Sequence, residues 1–386
     1  MKWEMSTIGQ HCTVTSSKRF HLSDRCNYGI PFYCSKEIIQ KVNGEIVTEC
    51  DYIKEDAYES VKKQFGVPVC GDLLITTRGT YGVPYIYRDT DKFYFADGNL
   101  TWLKDFDNHL LVKFLYYWIL SHEGQKKIDA IAKGTAQKAV PIATLKLIEI
   151  PLPPIETQKR IADILSAYDD LIENNQKQIK LLEEAAQRLY KEWFVDLRFP
   201  GHEHTAIVDG VPEGWERKKL IDIAEFKRGK TITRDSIKDG NVPVVAGGLE
   251  PAYYHNTANT ISPVITVSGS GANAGFTRLY YENVWASDCS FADMNTTKHL
   301  YFVYCFLKAN KDSIDVLQKG SAQPHVYAKD INNMEVIFPS EEYLMSFKNF
   351  SSSLFEKIKV LQGQIVNLTQ ARDRLLPKLM SGEMEV

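Results

Sequence analysis

Arg78-Gly79-Thr80-Tyr81 follows the strand-like run GDLLITT, so its Arg and Tyr are expected to project from a turn. Lys227, Arg228, Lys230, Thr231, Thr233 and Arg234 form the densest basic and hydroxylic run in the second half of the chain. A third pair of segments, KGTAQK and KGSAQPH, sets Lys133, Gln137 and Lys138 beside Lys319, Gln323 and His325 as equivalent positions. Lys, Arg and backbone amides hold phosphates, whereas side chains with fixed donors and acceptors read base edges. Arg can bond guanine and Gln adenine with two hydrogen bonds each. The recurring Gln137 and Gln323 fit better as braces of the following strand, because groups that read different sequences should differ. Arg78, Tyr81, Lys138 and His325 are the stronger candidates for specificity.

Catalytic chemistry has little to stand on. There is no N-P-P-[YF] or D-P-P-Y tetrapeptide of amino-methyltransferases, no F-x-G-x-G loop and no G-x-x-x-x-G-K-[ST] phosphate loop. The glycine-rich GSGANAG lacks a Lys to reach a phosphate and reads as a turn. Acid-x-Lys triplets at Glu216 and Glu225 have no paired upstream Pro-Asp, as a metal-dependent nuclease would need. His202 and His204 have no third ligand nearby, which leaves a solvated linker and no metal site.

These segments must be carried by a folded framework. Apolar residues make up 44% and charged residues 25% of 386, enough for real cores in a chain too long for one ordinary domain. A net charge of -3 taken alone argues against nucleic-acid binding. The acids, however, crowd onto helical stretches such as Tyr168-Asp169-Asp170 and Leu182-Glu183-Glu184, while the bases gather in the globular parts. Seven irregularly spaced cysteines point to a reducing cytoplasm rather than a disulfide framework. MKWEMSTIGQ lacks the apolar core of a signal peptide. LLVKFLYYWIL is about half the length that crosses a bilayer, so it reads as a buried helix.

One internal repeat organises everything. The offset that lays KGTAQKAV on KGSAQPHV also lays Glu149 on Glu335, Pro153 on Pro339, Ile179 on Ile365, Leu182 on Leu368 and Leu189 on Leu375, without a gap. Upstream, FLYYWIL resembles LYFVYCFL, ITTRGTYG resembles ITVSGSGANAG, and Trp3-Glu4 matches Trp215-Glu216. Each copy thus holds a divergent α/β (α+β) globular part followed by a well-kept helix. The expected boundaries are 1–150 for the first globular domain and 151–199 for the central helix. A linker and second globular domain follow over 200–339, and the last helix over 340–386.

The helices carry apolar stripes at three-four spacing: Ile161, Ile164, Tyr168, Leu171, Leu182 and Leu189 in one, Phe347, Phe350, Leu354, Leu361, Leu368 and Leu375 in the other, widened by Ile172 and Ile179 and by Ile358 and Ile365. Asn175 and Gln178 interrupt the first seam and Gln364 the second. Each stripe needs a partner, and either the other helix or a third protein's helices would serve. Two antiparallel helices of about 38 residues, on the order of 57 Å long, would hold two similar domains apart.

IPLPPIETQKRIADILSAYDDLIENNQKQIKLLEEAAQRLYKEWFVDLRFPG resembles the central region of specificity subunits of type I restriction-modification systems, and LTQARDRLLPKLMSGEMEV resembles their C-terminal region. GDLLITTRGTYG, KGTAQKAV, VPVVAGGLEPAYYHN and WASDCS are similar to elements of their two target-recognition domains. The resemblance implies a non-catalytic subunit that reads a split site in double-stranded DNA, one half per domain, across a spacer set by the helices. It implies docking of two methyltransferase subunits and of restriction and translocase subunits. S-adenosylmethionine, Mg and ATP would belong to those partners, with no cofactor on this chain. Half-sites one helical turn apart lie roughly 34 Å from each other, within reach of such a spacer. A coiled-coil adaptor bridging protein or RNA partners is the alternative from a different class.

Overall fold

A computed structural model describes residues 3–134, 138–318 and 324–386. The chain divides into two compact units, Met1–Asn174 with Gln364–Val386, and Asn175–Gly363. Both division points fall inside long helices, Ile155–Tyr190 and Glu341–Ser381, so each helix lends one end to each unit.

In the first unit, strands Thr13–Thr15, Leu100–Lys104, Leu73–Thr76 and Pro84–Ile86 lie side by side in that order, all antiparallel. Leu73–Thr76 is buried along its whole length, which is why it reads as an unbroken apolar run rather than an alternation. A second sheet orders Arg25–Cys26, Asp51–Ile53, Ile30–Tyr33 and Tyr94–Phe95, the last two parallel. A third pairing sets Glu4 opposite Leu152 and Thr7 opposite Glu149.

The second unit repeats this plan. Lys227–Arg228, Cys289–Asp293, Val264–Ser268 and Thr277–Tyr280 form the antiparallel sheet. Tyr253–His255, Val242–Val245 and Trp285–Ala286 form the mixed one, its last pair again parallel. Glu216 stands opposite Phe338 and Lys219 opposite Glu335, the same register as Glu4 and Thr7. The Trp-Glu dipeptides therefore open equivalent strands. The helices Val112–Leu120 and Leu300–Ala309 likewise correspond, and both are apolar nearly all round because they lie in the cores.

The first long helix starts after Pro153-Pro154, where Pro154 O accepts the Thr157 and Gln158 amides at 2.9 and 3.0 Å. Gln158 is fully buried, and its amide is satisfied by Leu111 N and by the carbonyls of His109 and Pro153. In the first unit Ile161 and Leu165 share one cluster with Leu379, Met380, Phe114 and Trp118. In the second unit Ala186 and Tyr190 share another with Phe347, Phe355, Ile358 and Phe302. Within each unit the two helical segments pack on one core, and each buried Leu or Phe there contributes roughly 1.5–3 kcal/mol.

Two expected stripe positions are corrected. Leu171 is 50% exposed and Phe350 is 59% exposed. The inward line advances by three or four residues through Ile161, Leu165, Tyr168, Ile172, Asn175, Ile179, Leu182, Ala186 and Tyr190. It is buried at Ile161, Leu165, Asn175, Ala186 and Tyr190 and half-buried at the others, so Ile172 lies in the line and Leu171 outside it. In the other helix Phe347, Ser351, Phe355, Ile358 and Leu361 are buried, so Ser351 lies in the line and Phe350 at its margin against Trp193. Ile164, Leu189, Leu354, Leu368 and Leu375 are half-buried. No described helix is long and apolar enough to cross a membrane.

Candidate nucleic-acid interface

The buried strand Leu73–Thr76 ends where the Thr77 amide donates to Asn99 O at 2.7 Å. Gly79 and Gly82 then turn the chain at φ +70° and +80°, a left-handed conformation that favours glycine. Arg78, Gly79 and Thr80 are left exposed. Lys133 and Ala139 exchange backbone hydrogen bonds of 2.9 and 2.8 Å, and the Val140 amide donates to Thr77 O at 3.0 Å. Arg78 thus bridges Ala139, which brings Arg78, Lys133 and Lys138 to one end of the first sheet.

Tyr81 departs from expectation. It is half-buried against the core rather than projecting, and its hydroxyl donates to Asp129. Lys138 Nζ lies 3.4 Å from the same carboxylate. The Tyr81 hydrogen bond, helped by Lys138, holds Asp129 below the usual carboxylate range, and Asp129 in turn raises Lys138. Tyr81 and Lys138 are therefore fixed by one acid rather than free at a turn.

The second unit builds the same corner from different side chains. Val264–Ser268 is fully buried, and the Gly269 amide donates to Asp288 O at 3.1 Å. Ser270 bridges His325, and the Val326 amide donates to Gly269 O at 3.1 Å. The Ser270 hydroxyl donates to Asp288, and the His325 ring stacks on Tyr327 with centroids 5.9 Å apart. His325 thus matches Ala139, not Lys138, which corrects the sequence pairing. Gln137, Lys319 and Gln323 lie outside the described residues.

Lys227 and Arg228 form the edge strand opposite Phe291 and Ser290. Gly229 follows with its amide on Cys289 O at 2.8 Å, and a Cβ there would stand 2.3 Å from Ser287 O. Lys230 bonds Ala286 O at 2.9 Å through its amide, and its carbonyl accepts the Trp285 indole at 2.8 Å. Thr231 is exposed, as is Arg234 at the start of a short turn. Cys289 pairs with Ser268, so this run borders the corner that holds Ser270, Asp288 and His325. Among the described residues, Arg78, Lys133, Lys227, Arg228, Lys230 and Arg234 make no ion pair. Exposed cations without carboxylates remain available to phosphates.

Lys18 and Arg19 escaped the sequence reading. They follow Thr13–Thr15 as Lys230 follows Lys227–Arg228; Lys18 is exposed with Nζ 4.8 Å from the Phe65 ring, and Arg19 pairs with Asp97 at 2.7 Å. The only signal was a basic doublet in SSKR, too short to stand out. All seven cysteines are free, and burial pushes the thiols of Cys12 and Cys289 up to about 12, which keeps them protonated and poorly nucleophilic.

Residues 1–184 and 212–365 match the family model described as the type I restriction modification DNA specificity domain. The type I restriction enzyme MjaIX specificity subunit of Methanocaldococcus jannaschii is 30% identical over 347 residues, covering 82% of this chain and 78% of its own. The HindI specificity subunit of Haemophilus influenzae is 23% identical over 402 residues, covering 81% and 86%. Among solved structures, the S subunit of a type I restriction-modification system from M. genitalium superposes with a TM-score of 0.60 at 20% identity, covering 98% of this chain and 96% of that one. It shares the fold.

Proposed function

We propose that this chain, which belongs to the type I restriction-modification DNA specificity family, reads a two-part site in double-stranded DNA, one part with each unit. The observation that carries this reading is the repeated corner. Two sheets of the same topology end in the same backbone bridges, Arg78 to Ala139 and Ser270 to His325, yet present different side chains there. One scaffold used twice with different reading groups suits two different half-sites. Exposed cations beside each corner suit the phosphates on either side.

The long helices set the gap between the half-sites and carry the docking faces for two methyltransferase subunits, with restriction and translocase subunits added to them. Exposed apolar groups on those helices, Leu171, Leu181, Met345 and Phe350 among them, suit such contacts. The chain is a non-catalytic cytoplasmic subunit, and S-adenosylmethionine, Mg and ATP serve its partners.

The test is selection from random duplexes with the chain produced together with its methyltransferase. Enrichment of two short motifs at one fixed spacing, tighter at low salt, is expected. Recovered DNA no different from the input would overturn the reading and favour an adaptor.

A further inference from the structure

Resting on the two-part reading above, we propose that Arg78 and Ser270 are one structural position used twice, with opposite base chemistry. Arg78 takes guanine in one half-site, and Ser270 with Asp288 takes a base offering an exocyclic amino group in the other.

The equivalence follows from two independent sets of bonds. Along the sheets, Thr76 pairs with Leu100 and Ser268 with Cys289 as the last residues in register. One step on, the Thr77 amide meets Asn99 O and the Gly269 amide meets Asp288 O, so Arg78 and Ser270 come next. Across the corner, the Val140 amide meets Thr77 O and the Val326 amide meets Gly269 O, which again aligns the two.

The chemistry at this position differs in sign. A guanidinium has only donors, and Arg78 is exposed with its donors uncommitted among the described residues. Guanine offers O6 and N7 as paired acceptors in the major groove. In the other unit the Ser270 hydroxyl is already spent on Asp288 Oδ2, which fixes the half-buried carboxylate, and a carboxylate with one such bond keeps lone pairs that can accept more. Such a group accepts from cytosine N4 or adenine N6, whereas the major-groove edges of guanine and thymine offer acceptors and would be repelled. His325, bridged to Ser270, replaces Ala139 and supplies a further polar group only on this side.

A shared position should behave oppositely. Lys18 and Lys230 each stand three residues past the equivalent partners Thr15, opposite Trp102, and Lys227, opposite Phe291, and both are lysine. Matching side chains at matching places hold the backbone; differing ones read bases.

The experiment determines the modified sequence for the full chain with its methyltransferase, by genome-wide mapping of methylated adenine, for wild type, Arg78→Ala, Arg78→Lys, Asp288→Asn and Lys230→Ala. Both Arg78 variants should lose a guanine preference of roughly tenfold or more at one position of one half-site, the other half unchanged. Asp288→Asn should relax one position of the other half-site, and whether cytosine or adenine stood there identifies the amino group. Lys230→Ala should lower modification evenly without changing the consensus. An unchanged consensus in Arg78→Ala and Asp288→Asn, or loss of both halves in either, overturns this assignment while the two-part reading stands. A wild-type chain with no sequence preference instead removes the reading itself.

Discussion

Arg372 Nη1 donates to Asp169 Oδ1 at 2.7 Å across 203 residues of sequence, while the Tyr117 hydroxyl donates to Asp169 Oδ2 at 2.7 Å. One carboxylate thus ties both long helices to the helix Val112–Leu120 inside the first unit. Tyr117 is buried, so removing its acceptor strands a phenol and loosens a charged pair. Asp169→Ala is expected to cost about 1.5–3 kcal/mol by urea unfolding. A double-mutant cycle with Arg372→Ala should return a coupling of at least roughly 0.5 kcal/mol, and strict additivity would refute the linkage.

That relationship shows what the sequence could and could not convey. The repeat was legible because an unbroken offset survives in the helices, and the two Trp-Glu dipeptides marked strands that prove to share one register. The helical stripes were legible to within one residue: Leu171 and Ile172 are adjacent apolar residues, and only the turn of the helix decides which faces inward. The corner proposed for recognition was less so. Arg78 stood out as a charge at a strand end, but Tyr81 did not reveal its bond to Asp129, which lies 48 residues away. Ser270 and Asp288 stand inside GSGANAG and WASDCS, but their pairing was not legible, because it is a bond formed between residues 18 apart.

His299 sets a pH dependence. Its side chain is 11% exposed, and burial lowers its pKa below the ordinary histidine range, outweighing Glu341 at 3.6 Å, while Lys298 and Lys348 add to the lowering. The unfolded chain therefore takes up this proton first as pH falls. The contribution is fully present above roughly pH 6.5 and is lost as pH drops toward the folded value. Urea midpoints measured near pH 7.5 and near pH 5.5 should fall further for wild type than for His299→Gln, and equal falls would refute it.

Gly229 should tolerate no side chain. A Cβ would stand 2.3 Å from Ser287 O and 2.7 Å from Ala286 O, both rigid backbone atoms. Gly229→Ala must push the Lys227–Arg228 edge strand away, at a cost of roughly 1–3 kcal/mol. It should weaken DNA binding through the second half-site more than the first, since the displaced strand carries that unit's basic run. Equal loss at both half-sites in binding titrations on half-site-scrambled duplexes would argue for global damage instead.

Salt titration separates the lysines from the reading groups. Lys18 and Lys230 are exposed, and Lys230 makes no ion pair, so each is free to displace a counterion from a phosphate. Every phosphate neutralised adds about 0.9 to the slope of log affinity against log salt. Lys230→Ala should therefore flatten that slope by roughly one, equally on the cognate and on random duplex. Lys18→Ala should do the same from the other unit. Under the proposed assignment Arg78 and Asp288 meet base edges, so the losses in Arg78→Ala and Asp288→Asn should fall on cognate DNA alone. A slope unchanged in both lysine variants would remove the phosphate contacts from this corner and move the backbone grip to Lys227, Arg228 and Arg234.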